Sequence, residues 1–438
     1  MPAPASGPAT AAGARGDRLP EGYRAGSRGL RRASLATFLA GVATFAMLYE
    51  PQVLLPELTR SFGVSPGAAT LAVSVSTAGL AVGLLVLGPV SDRYGRTPLL
   101  RAGLAVSVVL AALLAVVPTW ELLLVVRALQ GLALAGLPAV GVAYLREELH
   151  SSVSSRAIGL YVGGTALDGL SGRVLGGLLA DLGGWRTTMA GIAALSAMCA
   201  VAVWVLLPPS RRFRPVPRTG RLARQLAAAF TDPVLVGLYA VAALLMGGFV
   251  AVYNAATFRL EGPPYALAPS VAGLVFLTYL LGSVSSPAAG ALAGRWSPRL
   301  VVPLAVGVML GGVVLTLAAP LWAFVAGLCV LTAGFFAAHG VASSWVATRA
   351  AYGERAVGQA ASLYSFWYYA GSSVAGTVAG RAWATGGWPA VVWLTGGTSA
   401  AALVLTVVLG RTRALSPPLG PAAGARRERA SGGEQPGP

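Results

Sequence analysis

Gly88-Pro-Val-Ser-Asp92-Arg93-Tyr94-Gly95-Arg96-Thr97 stands between two apolar runs, at about 68–90 and 99–117. Each run is near the ~20 residues a helix needs to cross a bilayer, so the charged stretch is a short loop at a membrane surface. Further along, Gly290-Ala-Leu-Ala-Gly294-Arg295 repeats its opening at an offset of 202. Two more pairs fall at 203: Arg156-Ala-Ile-Gly-Leu-Tyr161 with Gln359-Ala-Ala-Ser-Leu-Tyr364, and Gly184-Trp185 with Gly387-Trp388. Three correspondences at nearly one offset indicate a duplicated unit. Many secondary transporters are built this way, with the substrate site at the repeat interface near the midplane.

Outward from this loop the remaining apolar runs fall at about 34–55, 121–144, 157–180, 187–207, 233–258, 271–292, 300–319, 321–347, 359–382 and 389–409. The expected fold is therefore all-α and membrane-integral, with twelve spans in two six-helix bundles. The boundaries predict a tail over 1–32, one bundle over 33–207, a linker over 208–232, a second bundle over 233–410 and a tail over 411–438. Both tails are Pro/Gly/Arg-rich and read as disordered. Composition agrees: 55% of the 438 residues are hydrophobic and only 11% charged, against roughly 25% charged in a soluble protein. That excludes a soluble enzyme.

The net charge of +17 would suggest a nucleic-acid partner in a soluble chain. Here distribution decides. All 32 basic residues are arginines, so a Walker-type phosphate loop with its lysine is absent. Outside the spans only Arg60, Arg186, Arg259 and Arg381 fall on the side opposite the termini, and the positive-inside rule then places both termini in the cytoplasm. Arg211, Arg212, Arg214, Arg218, Arg221 and Arg224 suit a linker lying on an anionic leaflet. Cys199 and Cys329 sit in apolar runs and read as small buried hydrophobes. No cofactor and no metal site is expected.

Gly88-Pro-Val-Ser-Asp92-Arg93-Tyr94-Gly95-Arg96 resembles the G-x-x-x-D-R-x-G-R signature loop of the major facilitator superfamily. Arg127-Ala-Leu-Gln130-Gly131 resembles the R-x-x-Q-G element of its proton-linked members, and Gln52-Val-Leu-Leu-Pro56 is similar to the N-V-A-L-P ending of its drug efflux carriers. Gly169-Leu-Ser-Gly-Arg173 and Gly334-Phe-Phe-Ala-Ala-His339 look like the YnfM-type bacterial inner-membrane carriers. The resemblance implies a two-bundle, alternating-access carrier in the bacterial plasma membrane. It also implies proton-coupled efflux of a small organic solute by a chain that functions as a monomer, with the solute, protons and the bilayer as partners and no nucleic acid. The efflux motif G-P-x-x-G-G departs here to Gly172-Arg173-Val-Leu-Gly176-Gly177. Arginine in place of proline weakens the case for exchange and leaves proton-coupled uptake of a sugar or similar metabolite open. A non-transporting receptor or scaffold on the same fold also stays open. A membrane enzyme lacks a clustered set of ligands or bases.

In the signature loop Gly88 would let the second span approach a neighbouring helix closely. Asp92 would accept hydrogen bonds at a helix N-terminus, while Arg93 and Arg96 face the leaflet or close ion pairs. Together Gly88, Asp92, Arg93, Gly95 and Arg96 form a candidate latch on the outward-facing state. The alternative is a solvated, topology-setting turn. In the second repeat Gly294 replaces the acid, so the latch is one-sided. Gly172, Gly176 and Gly177 are candidate helix-packing positions.

An ionisable side chain at bilayer depth costs about 2.5–3.5 kcal/mol on insertion scales, so it is a functional candidate. Four fall within spans: Glu50, Arg127, Asp168 and Arg173. Glu50 lies beside Pro51, which frees a backbone carbonyl. A carboxyl kept from water favours its neutral form, as a proton carrier requires, so Glu50 is the leading candidate; the alternative leaves it hydrated at the outer mouth. Asp168 is the second carboxyl. Positions 168 and 173 are about 140° apart around a helix, so Arg127 and Arg173 should find partners on other helices. The second half supplies polar and aromatic groups instead. The candidate lining is Gln52 and Gln130 with Tyr253, Asn254, His339, Trp345, Tyr364, Trp367 and Tyr368, and with Ser343, Ser344 and Tyr369 nearby. An aromatic wall of this kind suits an amphipathic or cationic organic molecule.

Overall fold

The computed structural model describes residues 21–215, 227–353 and 355–412; the side chains of 155, 156, 159, 160 and 162–169 are outside that description. Ten helical stretches among the described residues are long and apolar enough to cross a membrane. Two are folded back at glycines. The chain over 151–206 turns at Gly183 and Gly184 (φ +72°), and that over 357–410 turns at Gly387 (φ +59°). Positive φ favours residues without a Cβ, so the repeated Gly-Trp pairs are the two equivalent hairpin turns.

Among the described residues this gives twelve helices of membrane-spanning length. The first half holds α1 (Arg28–Phe62), α2 (Pro66–Tyr94), α3 (Arg96–Leu114), α4 (Trp120–Glu148), α5 (151–182) and α6 (185–206). The second holds α7 (Pro233–Glu261), α8 (Pro269–Arg295), α9 (Pro298–Leu315), α10 (Leu321–Tyr352), α11 (357–386) and α12 (388–410). Within each half the same partners meet: α1 packs on the α5–α6 hairpin and α2 on α4, as α7 packs on the α11–α12 hairpin and α8 on α10.

The halves touch at two crossings on the side away from the termini. A Cβ on Gly177 of α5 would lie 2.7 Å from Pro269 O of α8, and one on Gly380 of α11 would lie 2.6 Å from Pro66 O of α2. Ser373 of α11 also donates to Ser74 O of α2 (2.8 Å). Positions 177 and 380 differ by the repeat offset, so one glycine contact occurs twice, and glycine is what lets the backbones meet. On the termini side a Cβ on Gly88, Gly290, Gly294 or Gly358 would meet nothing within 4 Å. The far side is thus held by two packed crossings.

Parts of the expected tail and linker are built into the fold. α1 begins at Arg28, with the Ser27 hydroxyl accepting from Leu30 N (3.2 Å). Tyr23 N donates to Glu148 O (2.9 Å) and His150 N to Tyr23 O (3.0 Å), pinning residues 21–27 under the α4–α5 turn. The linker's first residues are strapped to the same bundle: Tyr144 OH donates to Pro208 O (2.9 Å), and Arg211 N and Arg212 N donate to Glu148 Oε1 (2.8 and 3.0 Å). The expectations for 1–20, 216–226 with Arg218, Arg221 and Arg224, and 413–438 lie outside the described residues.

Asp232 caps α7, accepting from Val234 N (2.9 Å), and pairs with Arg349 Nε (2.8 Å) and Arg355 Nη1 (3.5 Å). Burial pushes its carboxyl up, but the Arg349 hydrogen bond, the backbone N–H and the two guanidinium charges outweigh it and hold it below the usual carboxylate range.

Candidate functional site

The site grows from Pro51. Proline has no N–H, so Met47 O loses its acceptor role within α1, and the helix is interrupted at Glu50. Arg127 of α4 fills the gap. Its Nη1 donates to Met47 O (2.7 Å) and Gln130 Oε1 (2.7 Å), its Nη2 to Leu48 O (2.7 Å) and its Nε to Ala72 O (2.9 Å). Nearly all of the guanidinium fork is spent on the backbone of α1 and α2 and on Gln130.

Glu50 is 1% exposed, so it does not lie hydrated at the outer mouth. Its Oε1 is 3.6 Å from Arg127 Nη1, an ion pair without a hydrogen bond. Neither carboxylate oxygen has a donor among the described residues. A buried carboxylate in that position is costly, and protonation or a turn of the guanidinium toward it removes the cost.

Arg173 of α5 lies one layer away and ties the halves together. Its Nε donates to Gln52 Oε1 (2.6 Å), and Gln52 Nε2 donates to Asn254 Oδ1 of α7 (2.7 Å). Positions 52 and 254 are equivalent at an offset of 202, so the two halves meet here through matching residues. The Arg173 guanidinium also lies 4.2 Å from the Tyr49 ring centroid and 4.6 Å from that of Tyr279, positions where ring faces attract a cation.

Below this cap, toward the termini, lies a cavity of about 220 Å³. The first half contributes Phe45, Tyr49, Pro138, Tyr161 and Arg173. The second contributes Met246, Phe249, Tyr279, Phe335, Phe336, His339, Tyr364, Ser365, Tyr368 and Tyr369. His339 Nδ1 and Tyr364 OH are 3.0 Å apart, and the His339 ring lies flat against Phe335.

Of the residues expected to line the site, His339, Tyr364 and Tyr368 do so. Gln52 and Asn254 bond to each other in the cap, and Gln130 is spent on Arg127 inside the first bundle. Tyr253 is buried in the second bundle, its hydroxyl shared with Thr278 (2.5 Å) and Thr332 (2.6 Å). Trp345 lies nearer the termini beneath Arg299 (5.9 Å). Trp367, 38% exposed, is turned off the cavity by the 100° per residue that separates it from Tyr368. Asp168 lies outside the described residues. Tyr161 was missed, though its repeat partner Tyr364 was not; the offset of 203 points to it. Phe249, Phe335 and Phe336 carry no polar signal that separates them from packing.

The packing glycines behave as spaced: a Cβ on Gly172 would lie 2.6 Å from Ala46 Cα, and one on Gly176 3.0 Å from Val53 Cγ1. Gly88 does not; it faces open space rather than a neighbouring helix. Asp92 meets no helix N-terminus but lies in the last turn of α2 and pairs with Arg96 Nη1 (2.6 Å), while Arg96 Nη2 holds Glu147 (2.8 Å). Arg93 lies over the Tyr94 ring (5.2 Å), and Gly95 takes φ +101° to turn the chain into α3.

The family model described as Major Facilitator Superfamily matches residues 33–376. The chain is 42% identical over 380 residues to the inner membrane transport protein YnfM of Escherichia coli K12, covering 86% of this chain and 89% of that one. It is 38% identical over 370 residues to the uncharacterized MFS-type transporter YybF of Bacillus subtilis 168, covering 84% and 91%. A bacterial homologue of the human lysosomal transporter Spinster, solved inward-facing and occupied, superposes with a TM-score of 0.68 at 14% identity, over 88% of this chain and 96% of that one. A variant of the nucleoside transporter NupG gives 0.68 at 14%, over 87% and 99%.

Proposed function

The chain belongs to the major facilitator superfamily, a multi-pass membrane transporter, and from that premise we propose that it exports a small organic solute across the bacterial plasma membrane in exchange for protons. Glu50 carries the proposal. A carboxyl buried without a donor beside a guanidinium committed elsewhere has a reason to bind a proton and a reason to release it. Arg127 is braced on α1 and α2, so a change at Glu50 acts on the packing of the first bundle. Asp168 remains the second candidate carboxyl.

The solute occupies the aromatic cavity on the termini side of the Arg173–Gln52–Asn254 cap. Arg173 is the charged side chain in its described lining, so a cation would meet like charge there, and an uncharged or anionic flat molecule fits better than a cationic one. The arginine distribution favours termini in the cytoplasm, which puts the packed Gly177 and Gly380 crossings on the outer side. Gly88 faces space that a neighbouring helix would fill if the inner side closed, as a latch on the outward-facing state requires, while Asp92 is already held by Arg96. The transporter works as a monomer with the solute, protons and bilayer as its partners.

A growth-inhibition panel with and without the chain identifies a solute, and reconstituted vesicles test the coupling. Glu50→Gln is expected to abolish solute-driven proton movement while downhill solute flux continues; unchanged proton movement removes Glu50 from the mechanism. Solute accumulation along, rather than against, an inward proton gradient selects uptake instead.

A further inference from the structure

A second built depression lies on the flank of the first half, apart from the solute cavity. It has a volume of about 560 Å³ and opens where the signature loop, the start of α3 and the first linker residues meet. Its polar groups are Arg101, Thr97 and Ser210, its walls include Tyr94, Trp204 and Phe213, and no acidic side chain is among its described lining. Arg101 Nη2 donates to the last carbonyls of α6, Trp204 O (3.1 Å) and Leu207 O (2.9 Å). The guanidinium lines the pocket beside two hydroxyls, where its charge suits an oxyanion.

Trp204 also borders a second depression of about 380 Å³, a groove between α3 and α6 with an apolar lining that includes Ala105, Val108, Ala197 and Ala200. Val108 is seven residues beyond Arg101 on α3, about 10 Å deeper at the helical rise. The alanines lower the surface between flanking Val201 and Val205, which are both 66% exposed. A cationic pocket at the membrane surface therefore continues into an apolar channel toward the bilayer centre. The sequence of polar head and long tail is that of a phospholipid.

We propose that α3 and α6 hold an anionic phospholipid, its headgroup phosphate on Arg101 and one acyl chain in the groove. Anionic rather than zwitterionic lipid follows from charge: the adjoining linker carries Arg211, Arg212 and Arg214, which attract a net negative headgroup and repel a choline ammonium. Thr97 Oγ1 and Ser210 Oγ already share a hydrogen bond (3.0 Å), so a headgroup seated there covers the junction of the signature loop with the linker. The site rests on these helices facing lipid, and not on the solute or on Glu50, so its failure would leave the transport proposal standing.

The experiment uses the purified, delipidated full chain in neutral detergent. Dioleoylphosphatidylglycerol, dioleoylphosphatidylcholine and inorganic phosphate are each titrated in, with bound lipid counted by native mass spectrometry and melting temperature followed. Phosphatidylglycerol is expected to bind and stabilise more strongly than phosphatidylcholine. Arg101→Gln should cost about tenfold in its affinity, the worth of one charge-assisted contact, while leaving phosphatidylcholine unaffected. Because Arg101 also caps α6, Ala197→Leu provides the second test: it fills the groove and should weaken both lipids. Equal binding of the two lipids, or wild-type phosphatidylglycerol binding in both variants, overturns the proposal. Inorganic phosphate as effective as phosphatidylglycerol overturns it in favour of a free-anion site.

Discussion

The two halves share a helix plan but fill their centres with opposite chemistry. In the first, Arg127 holds the broken α1 and keeps Glu50 beside it. In the second, the space is taken by rings: Phe249 stacks on Phe335 (centroids 3.9 Å apart), and Tyr253 packs on Phe276 (5.4 Å) and Tyr279 (4.9 Å). Repeat-equivalent positions show the exchange. Ser76 donates to Arg127 O (2.9 Å), whereas Thr278, 202 residues later, meets the Tyr253 hydroxyl. Aromatic packing leaves no charge to satisfy, whereas a buried charge with incomplete partners does. On the proposed mechanism the moving proton belongs to the first half and most of the solute's aromatic wall to the second.

The largest expected effect tests that contrast directly. Arg127→Leu leaves Met47 O, Leu48 O, Ala72 O and Gln130 Oε1 without their donor and Glu50 without its counter-charge, and breaking a buried pair costs about 3–5 kcal/mol. Tyr253→Phe removes hydrogen bonds to two threonines and should cost about 0.5–1.5 kcal/mol. Melting in detergent reads both. Adding Glu50→Gln should recover part of the Arg127→Leu loss, since the stranded charge is gone. Equal costs for the two single variants, or no recovery, would dissolve the division between the halves.

The next test concerns what the halves have in common. Gly177 and Gly380 make equivalent contacts, so Gly177→Leu and Gly380→Leu should each open the far side, by about 1–3 kcal/mol of overpacking. The readout is thiol labelling of a cysteine at position 74, in a background with Cys199 and Cys329 replaced. Similar increases are expected; a rise in only one variant would mean that the two crossings are not working as a symmetric pair.

These pairs also mark what was legible beforehand. The spans, the hairpin turns at Gly184 and Gly387, and the packing role of Gly177 follow from hydropathy length and the offset. Arg127 and Glu50 stand out because charge in an apolar run is costly wherever it points. The cavity wall was legible where a polar atom flagged it, at His339, Tyr364 and Tyr368. Helical phase decided the rest: Trp345 and Trp367 share spans with true wall residues but face elsewhere, and span boundaries uncertain by a few residues cannot fix a rotation of 100°. The open space at Gly88 depends on how α2 sits among its neighbours, which a motif alone does not fix.

At the membrane surface the halves differ again, the first using Arg96 with Asp92 and Glu147, the second Asp232 with Arg349 and Arg355. Asp232 is held below its ordinary range, so its contribution is complete above the unfolded value near 3.9 and fades as pH falls through the folded value. Asp232→Asn should lower stability by about 1.5–3 kcal/mol at pH 7, and the gap to wild type should close in melts taken below about pH 4. A gap that persists there would assign the loss to the α7 cap rather than to the charge.

The smallest effect bears on the wall. Tyr364→Phe removes a hydroxyl hydrogen-bonded to His339 but keeps the ring. A lost neutral hydrogen bond of about 0.5–1.5 kcal/mol corresponds to roughly 2- to 13-fold in affinity. If the second half is a platform, this change appears in the solute KM while the number of protons moved per solute stays fixed. A shift in that ratio would place His339 and Tyr364 in the proton's path, and the charge-bearing half would no longer hold the coupling alone.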